Sequence, residues 1–300
     1  MAELTSWLGR PITEGSPIQI WMVVAAGSAL LLLVILSQVL LKKRRRLAAE
    51  ALSITENPES NPVLEVANFQ GTGAREDQQD AFAISPMEDY AENGLLMVLC
   101  DGMGGMAEGG AIANETAAEL LSIFPFGDPA DISDWVRQHS RAVYGKYRGQ
   151  GGTTLVAAFI RAGQLYFWCV GDSDLFLMRE GTLYTLHLSQ DHRNELVLRS
   201  LSGALPLEEA FMDEQAGALS QYIGKEAVKC SFSRIPFQLQ SGDTLLLGSD
   251  GISSTLSLAA IQKSLAFSSE KSAEVLEEAV RSAGNPWQDN YTAIILKYNG

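Results

Sequence analysis

Hydrophobic and polar positions divide the 300-residue chain into two unlike parts. From Ile20 to Leu41 the run IWMVVAAGSALLLLVILSQVLL carries no charge. It is long enough to cross the roughly 30 Å hydrocarbon core of a bilayer as a helix. Trp21 stands at one end, where interfacial aromatics anchor, and Lys42-Lys43-Arg44-Arg45-Arg46 follows directly at the other. A cleaved secretory signal would carry its positive charge before the apolar run. Here the charge comes after it, so a single spanning helix is expected, with the C-terminal side in the cytoplasm. The expected organisation is a short extracytoplasmic N-terminus over 1–19, a transmembrane helix over 20–41, a basic juxtamembrane segment and linker over 42–62, and one folded domain over 63–300. The linker ends in the polar, proline-containing stretch Ser53–Pro62.

From Val63 onward the pattern shortens. Apolar or β-branched runs at Leu95–Cys100, Thr153–Ile160, Leu165–Val170, Asp174–Arg179, Thr244–Gly248 and Thr292–Tyr298 are bounded by Gly, Asp or Ser and predict strands. Helical spacing predicts helices over Ala111–Phe124, Asp134–Tyr147, Ser257–Ala266 and Ser272–Ala283, the last stopped by Gly284. Strands come in runs rather than alternating strictly with helices, which predicts an α+β fold.

Several strands share an ending. Leu95–Cys100 runs into Asp101-Gly102, Leu165–Val170 into Gly171-Asp172-Ser173, and Thr244–Gly248 into Ser249-Asp250-Gly251. Asp289-Asn290-Tyr291 precedes the last strand, and Arg75-Glu76-Asp77-Gln78-Gln79-Asp80 precedes the apolar Ala81–Ile84. One Asp-Gly after a strand is an ordinary turn. Strands lying side by side would instead bring Asp101, Asp172, Asp250 and Asp289 to one rim. Such a cluster repels itself unless cations neutralise it. Oxygen ligands without His or Cys point to Mg2+ or Mn2+ rather than zinc. The glycines after Asp101, at 102, 104, 105, 109 and 110, would let backbone and water approach the same ions.

Charge sharpens this picture. The net charge is −14, although the first 46 residues carry six basic groups and two acidic ones. An acidic remainder excludes a nucleic-acid partner, which would call for a basic face. Cys100, Cys169 and Cys230 are far apart and read as buried thiols rather than a disulfide framework or zinc site. His139, His187 and His192 show no ligand spacing.

Seven motifs, in order, resemble the metal-dependent Ser/Thr protein phosphatases of the 2C type in their short bacterial form. They are Arg75 five residues before Asp80, DGMGG (101–105), GGTT (151–154), GDS (171–173), SQDH (189–192), SDG (249–251) and DN-x-T (289–292). The resemblance covers roughly residues 64–298. It implies a β-sandwich of two antiparallel sheets flanked by helices, with a dinuclear Mn2+ or Mg2+ site at one edge. It further implies that Asp101 bridges two tight ions and that the Gly102 carbonyl helps bind the second. Asp250 and Asp289 would complete the first, and Asp80 would hold metal-bound water. Asp172 would share a third, weaker ion with Asp250. Arg75 would grip the substrate phosphate with its bidentate donors. A water or hydroxide between the ions would attack phosphorus directly, and Asp101, Asp250 and Arg75 would carry the catalysis.

Three positions depart from the family pattern. Gln78 stands where Asn is usual, Met103 where some members have a His that protonates the leaving group, and Asp174 where Arg is usual. Residues two apart in a strand share a face, so Asp174 would add negative charge beside Asp172; if the strand began after Ser173, it would merely meet solvent. Residues 194–225 would form a flap beside the site, and His192 reads as structural.

Taken with the apolar run over 20–41 and the basic cluster after it, the resemblance implies a membrane-anchored phosphatase with its catalytic domain in the cytoplasm. Its partners would be a phosphorylated protein substrate and a cognate Ser/Thr kinase. Two other readings remain open from the sequence: a silent phosphatase-fold docking or sensor module, and a phosphatase dedicated to one anti-sigma-factor-type regulator. The full set of aspartates and Arg75 weighs against silence.

Overall fold

Strand β3 (Leu95–Cys100) is buried at every position, which a single covered face cannot explain. Leu95, Met97 and Leu99 enter one apolar layer, and Leu96, Val98 and Cys100 enter another. Alternating side chains of one strand therefore feed two cores. A computed structural model describes residues 63–103 and 108–300 of the chain. The transmembrane helix expected over 20–41, the basic segment and the linker lie outside these residues. No helix among the described residues is long and apolar enough to cross a membrane.

Two antiparallel sheets form the body. The first has the order β1 (Leu64–Gly71), β11 (Tyr291–Tyr298), β10 (Thr244–Gly248), β6 (Asp174–Arg179), β7 (Thr182–Thr185). The second has the order β2 (Ala81–Ile84), β3, β4 (Leu155–Arg161), β5 (Gln164–Val170), β8 (Ser231–Phe232), with β9 (Phe237–Gln238) also paired to β5. Leu175, Leu177, Leu245, Leu247, Ile294 and Leu296 of the first sheet meet Leu95, Met97, Val156 and Ile160 of the second in a central layer. The outer face of the second sheet is covered by α1 (Gly109–Ser122) and α2 (Ile132–Tyr147), through Ile112, Leu120, Val136 and Val143. The outer face of the first is covered by α5 (Leu258–Ser264) and α6 (Ser269–Ser282), through Ile261, Leu276 and Val280. Between them in the chain come α3 (His192–Leu201) and α4 (Leu207–Met212). Full burial of each such side chain is worth roughly 1.5–3 kcal/mol, so three apolar layers hold the four-layered arrangement together.

The expected α+β sandwich is thus present, and the predicted helices and strands fall within a few residues of the observed ones. Cys100 and Cys169 are buried free thiols, and Cys230 is half-buried. The bounds differ most at the GGTT segment, where Thr153 forms only isolated bridges to Gly102 and Ile223 and the strand proper begins at Leu155.

Antiparallel pairing places the end of one strand beside the start of the next. Cys100 pairs with Ala81, Tyr291 with Gly71, Gly248 with Ala293, and Asp174 with Gly248. Asp80, Asp101, Asp172, Asp250 and Asp289 all flank these positions in the chain. One end of the sandwich therefore collects every acid singled out above.

Candidate active site

Asp101, Gly102, Met103, Thr154, Asp172, Leu219, Asp250 and Asp289 line a cleft of about 170 Å3 at that end. The backbone around Asp101 is clamped on both sides. Its N–H donates to Thr154 Oγ1 (2.9 Å), and its carbonyl accepts from Thr153 Oγ1 (2.8 Å) and Thr154 N (2.8 Å). Gly102 N donates to Gln79 O at 3.2 Å. A Cβ on Gly102 would sit 2.6 Å from that same oxygen, so only glycine permits this approach.

Asp80 lies behind the cleft, 4% exposed. Ser249 Oγ (2.8 Å) and Thr292 Oγ1 (2.7 Å) both donate to its Oδ2, while Oδ1 has no partner among the described residues. A buried carboxylate oxygen left unpaired costs of order 1–3 kcal/mol, and water or a cation would satisfy it. Gln78, in the place of the usual Asn, accepts from Asp80 N (2.8 Å) and donates to Gly71 O (3.0 Å). The substituted residue therefore still ties this turn to the sheet.

Burial is the first cause of raised carboxyl pKa values throughout the cluster, and mutual repulsion adds to it. Asp80 is pushed up to about 6, against hydrogen bonds from Thr292 and Ser249 and with the charges of Asp250 and Asp289. Asp172 is pushed up to about 7 by burial, then by Asp250. Asp101 lies well above the ordinary range because of burial and the charges of Asp80, Asp250 and Asp172. Asp250 is also raised, by burial and then by Asp289. Asp101 and Asp250 share a hydrogen bond that favours the proton on Asp101. These groups cannot all ionise together without positive charge between them. Among the described residues no three carboxyl, imidazole or thiol groups close into a complete ligand set by themselves. The donors are instead spread along an open cleft of hard oxygens, to which the Gly102 carbonyl and water would contribute, and that suits Mg2+ or Mn2+.

Arg75 sits at the lip, half exposed, with its guanidinium 2.7 Å from Asp289 Oδ2. Its loop is fixed by Asn290, whose Nδ2 donates to Thr72 O (2.8 Å) and Asp77 O (3.0 Å) and whose Oδ1 accepts from Gln79 N (2.8 Å). An exposed pair of this kind is worth about 0–1 kcal/mol, so an incoming phosphate can take Arg75 from Asp289 at little cost.

Asp174 does not meet open solvent. It begins β6, half-buried, its Oδ2 has no partner among the described residues, and it is pushed up to about 6 by burial and then by Asp250. It does not line the cleft, and it acts on Asp172 through charge. Met103 forms part of the wall, and no His is among the described residues that line the cleft. The segment 194–225 contains the remainder of α3, which begins at His192 behind an Asp191 cap, and the whole of α4. Bridges from Asp191 to Leu219 and from Thr153 to Ile223 fasten it beside the site. His192 is structural: its N–H donates to Ala218 O (2.8 Å), and its ring lies 3.9 Å from Asp213.

Ser249, Thr292 and Asn290 are the site residues to which sequence reasoning assigns no role. Their signal is nevertheless present, since all three stand inside the SDG and DN-x-T motifs. Only the fold shows that they face Asp80 and the Arg75 loop across 169, 212 and 213 residues of chain.

Residues 73–289 match the family profile described as protein phosphatase 2C. The protein phosphatase PhpP of Streptococcus pneumoniae is 31% identical over 219 residues, covering 68% of this chain and 86% of PhpP. Among solved structures, the Streptococcus agalactiae serine/threonine phosphatase superposes with a TM-score of 0.67 at 26% identity, covering 79% of this chain and 100% of that one. The catalytic domain of the phosphatase PstP, solved in complex with two manganese ions, superposes with a TM-score of 0.62 at 25% identity, covering 79% and 99%. The chain belongs to the protein phosphatase 2C family, and with it to the metal-dependent serine/threonine phosphatases.

Proposed function

We propose that this chain is a membrane-tethered enzyme that removes phosphate from phosphoserine and phosphothreonine in cytoplasmic proteins, opposing a bacterial Ser/Thr kinase. The observation that carries this reading is the cleft of mutually repelling carboxyls with Arg75 at its lip. Two Mn2+ or Mg2+ ions there would lower the pKa of a water to supply the nucleophile and would neutralise developing charge on phosphate oxygens. Asp101, Asp250, Asp289 and the Gly102 carbonyl would hold them. Asp80 would orient solvent through its free Oδ1, and Asp172 with Asp250 would support a weaker third site. Arg75 would leave Asp289 and fork onto two phosphate oxygens, aligning the ester for in-line attack. Met103 offers no proton, so the leaving alkoxide would take one from solvent.

The apolar run over 20–41 and the basic cluster behind it support tethering, with the domain on the cytoplasmic side. One assay tests activity and topology together. Full-length chain is expressed in bacterial membranes and presented with a membrane-impermeant phosphothreonine peptide and Mn2+. Inside-out vesicles are expected to release phosphate, excess chelator to stop them, and sealed right-side-out vesicles to be inactive. Activity in the right-side-out preparation would reverse the topology; inactivity in both would refute the enzyme reading.

A further inference from the structure

Trp287 is 85% exposed, the most open large apolar side chain among the described residues. It stands two residues before Asp289, the partner of Arg75. Its turn is nonetheless fixed. Trp287 N donates to Asn285 Oδ1 (3.0 Å), Gln288 N donates to Asn285 O (3.2 Å), and Gln288 Nε2 donates to Gly251 O (2.8 Å). Ala74 N donates to Gln288 O (2.7 Å), which locks this turn against the Arg75 loop. An indole held bare on a rigid turn gains nothing from the fold, because its apolar area stays in water. Two residues of chain span at most about 7 Å, so a phosphate gripped by Arg75 would bring its neighbouring residues within reach of this ring.

The surroundings indicate what kind of neighbour fits. Glu76 and Asp77 are exposed on the loop that Asn290 pins beside this turn, and Asp289 adds a third carboxylate. Arg75 is neutralised by Asp289 and would later face the phosphate. Arg281 lies on α6 one turn after Glu277 and Glu278, lining a groove with Asn285 and Gln288 of this turn. A π-face set among carboxylates attracts a cation.

Resting on the phosphatase reading, we infer that Trp287 is a specificity-determining residue that receives a Lys or Arg side chain flanking the phosphorylated residue of the substrate protein. Stacking would place the substrate ammonium or guanidinium over the indole, with Glu76 and Asp77 supplying the surrounding negative potential. The contact forms on binding and is unchanged through the chemical step, so it governs KM rather than kcat.

The experiment compares the full-length chain in detergent with Trp287→Ala and Trp287→Phe on three substrates. These are p-nitrophenyl phosphate, a phosphothreonine peptide with flanking Arg residues, and the same peptide with Ala in their place. A cation–π contact at an exposed site predicts about a fivefold rise in KM for Trp287→Ala on the Arg peptide. Turnover of p-nitrophenyl phosphate and of the Ala peptide should be unchanged, and Trp287→Phe should recover most of the loss. Equal losses on both peptides, a parallel loss on p-nitrophenyl phosphate, or no change would each overturn the inference. No Mn2+-dependent activity in the wild type would instead refute the phosphatase reading beneath it.

Discussion

Asp250→Asn is expected to abolish Mn2+-dependent turnover while making the metal-free protein more stable. Asp250 is the electrostatic hub of the cleft, since its charge raises Asp80, Asp101, Asp172 and Asp174 alike. An amide of the same shape keeps the helical turn Asp250–Ser253 packed but removes one full charge. Ions that depend on that carboxylate would lose several kcal/mol of transition-state stabilisation, and at 1.36 kcal/mol per decade this gives a drop on the order of 10^3-fold. The opposite change in stability follows because one source of repulsion is gone. Phosphate release and thermal melting in chelator read the two effects. A variant that keeps its turnover would contradict the assigned role, and one that loses turnover and stability together would mark Asp250 as a structural residue instead.

Without divalent ions, stability is expected to fall as pH rises from 5 to 8, and Mn2+ is expected to restore it mainly at the upper end. Asp80 and Asp174 are raised from 3.8 to about 6, and Asp172 to about 7. A raised folded-state pKa means that the native protein binds protons more tightly than the unfolded chain. The stability it contributes is complete below about pH 4 and is lost as pH climbs through 6 and 7. A tenfold difference in proton affinity between the two states corresponds to about 1.4 kcal/mol, so the cluster as a whole amounts to several kcal/mol. His139 and His187 act in the other direction. Burial lowers both, so the stability they contribute is complete above the ordinary imidazole value of 6.5 and is lost as pH falls below it through their folded values. The informative quantity is therefore the Mn2+-induced rise in melting temperature at each pH, which should be large at pH 8 and small at pH 5. Equal rises at both would contradict the carboxyl assignment.

Much of the fold can be read from runs that are apolar at every position. β3 and β10 are buried on both faces, and such runs stand out in sequence. β1 does not: only Leu64 and Phe69 of its eight residues are buried, as befits an edge strand whose identity comes from pairing with β11. β8 and β9 are two residues each, too short for any period. α3 merges into the flap in sequence because it is polar, with Leu196 its one buried residue, although its Asp191 cap stands within the SQDH motif.

The site is legible in its acids because strand ends mark themselves with Asp and Gly. Their partners are not, since Ser249 and Thr292 look like ordinary small polar residues until pairing brings both to one oxygen of Asp80. The Arg75–Asp289 pair likewise spans 214 residues, and no local pattern encodes it. Asp174 shows strand parity at work: two residues from Asp172, it adds negative charge beside that carboxyl, although it does not itself line the cleft.

That these carboxyls form a site for a pair of divalent cations is tested most directly by calorimetric titration of the metal-free full-length chain with Mn2+ at pH 7.5, without reference to turnover. Two tight equivalents per chain are expected, accompanied by proton release as Asp101 and Asp172 ionise, with loss of tight binding in Asp250→Asn. Absence of tight Mn2+ binding in the wild type, or full binding in Asp250→Asn, would contradict the assignment.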